Sequence, residues 1–105
     1  MNDITYLTAE TFGHITTGAA AAVVDFYADW CGPCQAMLPV FEACALEFDG
    51  ISFCKVDVDK NKQLALKNRV MGIPCFLFFK NGKLVKRIDG AVDETAFRAA
   101  LKELQ

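Results

Sequence analysis

An apolar run, Ala20-Ala21-Ala22-Val23-Val24-Asp25-Phe26-Tyr27-Ala28, ends at Asp29-Trp30 and leads directly into Cys31-Gly32-Pro33-Cys34. The run is apolar almost without alternation, as expected of a central strand covered by helices on both faces. Beyond Cys31, apolar residues recur at helical spacing (Met37/Leu38, Phe41, Ala45, Phe48), and Gly50 closes that segment. The two thiols therefore fall at the turn that joins a strand to a helix. In α/β domains, sites gather at the carboxyl ends of strands. A helix start there presents unpaired N–H groups and a positive dipole end, which favour a thiolate, and the thiolate is the nucleophile of disulfide chemistry.

The remaining segments extend this pattern. Ile4 to Leu7 reads as a short edge strand, and Thr8 as the cap of a helix with Glu10 in its first turn, Phe12 and Ile15 on one face, and Gly18 at its end. Pro39 inside the second helix removes a backbone donor and predicts a kink. Ile51 to Val58 reads as a strand, followed by a short helix over Leu64 to Arg69 with Asp59 as its cap. Cys75-Phe76-Leu77-Phe78-Phe79 and Leu84 to Ile88 flank Asn81-Gly82, a strong two-residue hairpin signal. Asp93 opens a last helix whose Phe97, Ala100, Leu101 and Leu104 form one stripe. The order βαβαβαββα predicts a mixed sheet of about five strands between about four helices, in a single α/β domain over residues 1–105.

Composition narrows the function class. A net charge of -2 and scattered basic pairs such as Lys60/Lys62 and Lys86/Arg87, which read as solvated surface, make no case for nucleic acid. The opening Met1-Asn2-Asp3-Ile4-Thr5-Tyr6 carries no basic segment followed by an apolar one, so no secretory leader is expected, and no stretch reads as a membrane span. Five cysteines, at 31, 34, 44, 54 and 75, cannot all pair within one chain, which favours a reducing, cytoplasmic setting. There a CxxC is catalytic or metal-binding rather than structural.

Taken together, Asp25-Phe26, Ala28-Asp29-Trp30-Cys31-Gly32-Pro33-Cys34, Pro39, Lys55-Val56-Asp57-Val58-Asp59, Gly72-Ile73-Pro74, Asn81-Gly82-Lys83 and Gly90-Ala91 resemble the thioredoxin family in order and spacing over nearly the whole chain. The resemblance implies the thioredoxin fold and a protein-disulfide reductant. Its redox-active disulfide would be Cys31–Cys34, with no bound cofactor and no metal. Cys31 would be the exposed nucleophile, and Cys34, less exposed, would resolve the mixed disulfide by an intramolecular attack. Asp25, a carboxylate within an apolar strand, should have a raised pKa suited to a general base for Cys34, with Lys55 on the neighbouring strand modulating it. The alternative for Asp25 is a solvated place at a strand edge.

The resemblance further makes Pro74 a cis proline beside the motif, with Ile73 hydrogen-bonding an extended target segment. Trp30, Gly32, Pro33, Ile73, Pro74, Gly90 and Ala91 would form a flat, mostly apolar docking surface. The implied partners are a thioredoxin reductase as electron donor and disulfide-containing target proteins, with the chain itself a monomer. Cys44 and Cys54 read as small buried hydrophobes and His14 as surface. Cys75 departs from the family, which usually has Thr after the cis proline; it is either a near-isosteric replacement or a redox modulator that oxidises with Cys31 or an external thiol. A disulfide oxidant or isomerase, a metal-binding module and a structural interaction subunit are the other function classes. No second CxxC or HxxxH accompanies the motif to complete a zinc site.

Overall fold

The computed structural model describes residues 3–105; Met1 and Asn2, part of the segment read for a leader, lie outside the described residues. The elements are β1 (Thr5–Tyr6), α1 (Ala9–Gly18), β2 (Ala21–Tyr27), α2 (Gly32–Glu47), β3 (Ser52–Asp57), α3 (Lys62–Lys67), β4 (Cys75–Lys80), β5 (Lys83–Asp89) and α4 (Glu94–Lys102). The sheet order is β1-β3-β2-β4-β5. β3 runs parallel to both β1 and β2, whereas β4 is antiparallel to β2 and β5. The apolar run thus becomes a central strand, as its composition requires.

Side chains on a strand alternate between faces, so this sheet builds two cores. Val23, Phe53, Phe76 and Phe78 pack with Met37 and Phe41 of α2 and with Phe97 and Leu101 of α4. The Phe76 and Phe97 rings meet edge to face, 5.0 Å between centroids. On the other face, Val24, Phe26, Cys54, Val56, Cys75 and Leu77 pack with Leu64 and Ala65 of α3, and Phe12 and Ile15 of α1 close over them. Asp25 and Lys55 are opposite one another in the β2/β3 register. By alternation they share the face of Val23 and Phe53, under α2.

Local signals account for most element ends. The Thr8 N–H donates to Thr11 Oγ1 at 2.9 Å at the start of α1. Asn81 and Gly82 both have positive φ, 51° and 81°, as a two-residue hairpin turn with the right twist demands. Asp93 Oδ1 accepts the Ala96 N–H at 2.8 Å and so caps α4. Asp93→Ala is expected to cost about 1 kcal/mol, read as a lower urea midpoint with unchanged slope. Pro39 lies inside an α2 that continues through it to Glu47.

The α3 reading requires correction. Asp59 does not cap that helix: it starts two residues earlier than expected, after Asn61, and ends at Lys67. Arg69, expected within it, instead has φ 55° and reverses the chain. The Asp59 carboxylate is engaged elsewhere, at the site described next.

Candidate functional site at the start of α2

Cys31 is the residue on which α2 begins, with Pro33 in the first turn where a missing N–H costs nothing. Its Sγ accepts the Cys34 N–H at 3.2 Å, so the positive end of the helix is directed at the first sulfur. Cys31 and Cys34 are joined in a disulfide. The expected contrast in their exposure is absent, since each residue is only 3% exposed. What separates them is direction: Cys31 lines one cleft and Cys34 another, and the two clefts share no lining residue.

The Cys31 cleft, about 430 Å³, is walled by Trp30, Gly32 and Pro33 on one side and by Val58, Ala65, Val70, Met71, Gly72 and Ile73 on the other. The Ile73–Pro74 peptide is cis, and the Ile73 carbonyl oxygen lies 3.8 Å from Cys31 Sγ. Of the expected docking surface, Trp30, Gly32, Pro33 and Ile73 are brought together here. Pro74, Gly90 and Ala91 are not in this lining: Pro74 is buried, and its carbonyl accepts the Gly90 N–H at 2.8 Å. The four residues line a shallow, open groove.

Two wall contributions escaped the sequence reading. Trp30 is 71% exposed, yet its indole Nε1–H donates to Asp59 Oδ2 at 2.8 Å, which fixes the ring over the groove. Asp59 is placed for this by Asp57, whose Oδ1 accepts the Asp59 N–H at 2.9 Å at the end of β3. Met71, 89% exposed, supplies a flexible apolar rim. A Met in a Gly-containing loop gives no periodic signal, and a carboxylate before a short helix reads most simply as its cap.

The second cleft, about 510 Å³, is lined by Tyr6, Tyr27, Ala28, Asp29, Cys34, Gln35, Leu38, Glu42 and Lys55. Behind it, Asp25 is 1% exposed, which overturns the alternative of a solvated strand edge. Burial pushes its carboxyl up to about 6, against the opposing pull of the Lys55 ammonium. Lys55 Nζ lies 3.6 Å from Asp25 Oδ2 and 4.3 Å from the centre of the Tyr27 ring, so the buried cation has a carboxylate and an aromatic face as neighbours. Among the described residues, Asp25 Oδ1 has no hydrogen-bond partner. A buried carboxylate so placed is costly to ionise and ready to take up a proton.

Cys44, Cys54 and Cys75 are free and buried. Burial raises the Cys54 and Cys75 thiols to about 11. Cys75 is fully enclosed on the α3 face of the sheet, the face away from Asp25, and neither its burial nor its protonation favours the oxidation considered from the sequence. His14 is exposed on α1. Among the described residues, no group of three or more His, Cys, Asp or Glu side chains is gathered to hold a metal, and no helix is long and apolar enough to cross a membrane.

Comparison with known proteins gives a consistent result. The thioredoxin family model matches residues 3–103. Thioredoxin-1 of Saccharomyces cerevisiae is 41% identical over 86 residues, covering 82% of this chain and 84% of that protein. Thioredoxin of Neurospora crassa is 39% identical over 104 residues, 91% and 81% of the two chains. Among solved structures, a mutant thioredoxin from Halobacterium salinarum superposes with a TM-score of 0.90 at 34% identity, covering 97% of this chain and 90% of that one. A chain from work on thiol resolution in yeast mitochondrial 1-Cys peroxiredoxin by glutathione and thioredoxin systems matches with a TM-score of 0.90 at 33% identity, covering 96% and 95%.

Proposed function

Since this chain belongs to the thioredoxin family and is a protein-disulfide reductant, we propose the following division of labour among its residues. In the reduced protein the Cys31 thiolate, stabilised by the start of α2, attacks one sulfur of a target disulfide. A Cys31–target disulfide forms, and the target's other sulfur leaves as a thiolate that takes a proton from solvent. Asp25 then accepts the Cys34 proton, directly or through water, and the Cys34 thiolate attacks Cys31 Sγ. The Cys31–Cys34 disulfide forms, the target's second thiolate departs, and two electrons have passed to the target. Lys55 holds Asp25 in balance between protonated and ionised forms.

The Ile73 backbone and the Trp30/Pro33 side of the groove receive an extended target segment, with few side-chain demands. A thioredoxin reductase returns the disulfide to the dithiol, so the protein acts in electron transport and cell redox homeostasis without a cofactor of its own. The three free buried thiols support a reducing, cytoplasmic setting, and a monomer suffices for each step. Peroxiredoxins are one class of target, a reading supported by the peroxiredoxin work in which a structural relative occurs.

The observation that carries this reading is the disulfide at the first turn of α2, with one sulfur opening on the groove at Ile73. Insulin reduction driven by dithiothreitol tests it. Catalysed precipitation of the insulin chains is expected from the native protein, and none above the dithiothreitol background from Cys31→Ser. Equal rates for the two proteins would overturn it.

A further inference from the structure

Arg87, read from the sequence as half of a solvated pair, is engaged through all three of its guanidinium nitrogens. It pairs with Leu77 across β4 and β5 and so projects on the α3 side of the sheet, its side chain 29% exposed. Nη1 donates to the Asn68 carbonyl at 2.7 Å and Nη2 to the Arg69 carbonyl at 2.5 Å, while Nε lies 3.2 Å from both carboxylate oxygens of Asp89. Asn68 is the residue that ends α3, and Arg69 is the left-handed residue that reverses the chain.

The next four residues, Val70, Met71, Gly72 and Ile73, form the far wall of the Cys31 groove. A six-residue helix has little stability of its own, and the Asn68 and Arg69 carbonyls that Arg87 binds lie just beyond its last residue, Lys67. A guanidinium supplied by the edge strand satisfies two carbonyls at this end at once, while Asp89 keeps it aimed. Only a planar fork does this, because a lysine ammonium on a flexible stem presents a single point charge.

We propose that Arg87 is a positioning residue for target binding: by clamping the end of α3 it holds the Val70–Ile73 wall at the spacing that an extended target segment requires. The inference rests on the reading of this groove as the target site. It concerns binding of a protein target, not the chemistry at Cys31.

Steady-state reduction of insulin, set beside reduction of a small aromatic disulfide that needs no groove, tests it in the full chain. Arg87→Met is expected to raise KM for insulin about 5- to 10-fold with kcat within about twofold, and to leave the small-disulfide rate unchanged. Asp89→Asn, which loosens the aim and keeps the fork, should raise KM about two- to threefold and serves if Arg87→Met does not fold. Arg87→Lys should recover less than half of the loss. An unchanged KM, a parallel fall in both substrates, or full recovery by lysine would overturn the proposal. Failure of the native protein itself to reduce insulin would overturn the underlying reading of the groove instead.

Discussion

Cys34→Ser is expected to stop turnover while leaving the protein covalently joined to its target through Cys31. Without the second thiol the mixed disulfide must wait for an external thiol. Intramolecular attack by a group held within one helical turn has a large kinetic advantage over that route, so steady-state reduction should fall by at least about 10³-fold. Non-reducing electrophoresis and mass spectrometry would show a one-to-one adduct that dithiothreitol releases. Cys31→Ser should form no adduct. Because the two cysteines are equally buried, the assignment rests on direction: Cys31 opens on the Ile73 groove and Cys34 on the cleft beside Lys55. An adduct through Cys34 in Cys31→Ser would reverse the roles.

Asp25→Asn is expected to act on rate and on stability with different pH dependence. On rate, loss of the base should slow resolution of the mixed disulfide by about 10²-fold and abolish the limb that rises through about pH 6 in the native protein. On stability, the Asp25 carboxyl titrates near 3.8 when unfolded and at about 6 when folded, so between these values the folded state binds the extra proton. Native stability therefore falls as pH rises from about 4 to about 6 and is constant above, by on the order of 3 kcal/mol for a shift of this size. Asparagine removes that loss. Below pH 4 both proteins present a neutral group to Lys55, so the difference in unfolding free energy between them at pH 7, less that at pH 4, isolates the ionisation of Asp25. Urea titrations at the two pH values should show asparagine relatively more stable at pH 7; no change in the difference would mean that Asp25 is not strained by its charge.

The legible parts of this protein are those where one residue type has one physical use. A strand covered on both faces must be apolar, so Asp25 within it marks itself, and Asn81-Gly82 takes a conformation few other pairs tolerate. The cysteines at a strand-to-helix turn could be placed before the structure was known. Residues with several ordinary uses were not legible. Asp59 looks like a helix cap and is the acceptor that holds Trp30. Arg87 looks like solvated charge and is bound at the end of α3. Met71 has no periodicity to betray it and forms the groove rim. Each acts through a contact between segments distant in sequence, which only the assembled sheet creates. The burial of Cys31 is not legible for a related reason: sequence can place a thiol at a helix start without showing how closely Ile73 and its neighbours cover it.

The strand-to-helix turn carries a dithiol whose job is to give electrons away. Equilibration of the Cys31/Cys34 pair against glutathione buffers of graded ratio, read by alkylation of the free thiols, measures this directly. A reduction potential more negative than about -240 mV, well below that of an isomerising or oxidising dithiol, is the predicted result. A potential above about -200 mV would contradict it and make the pair an acceptor of electrons.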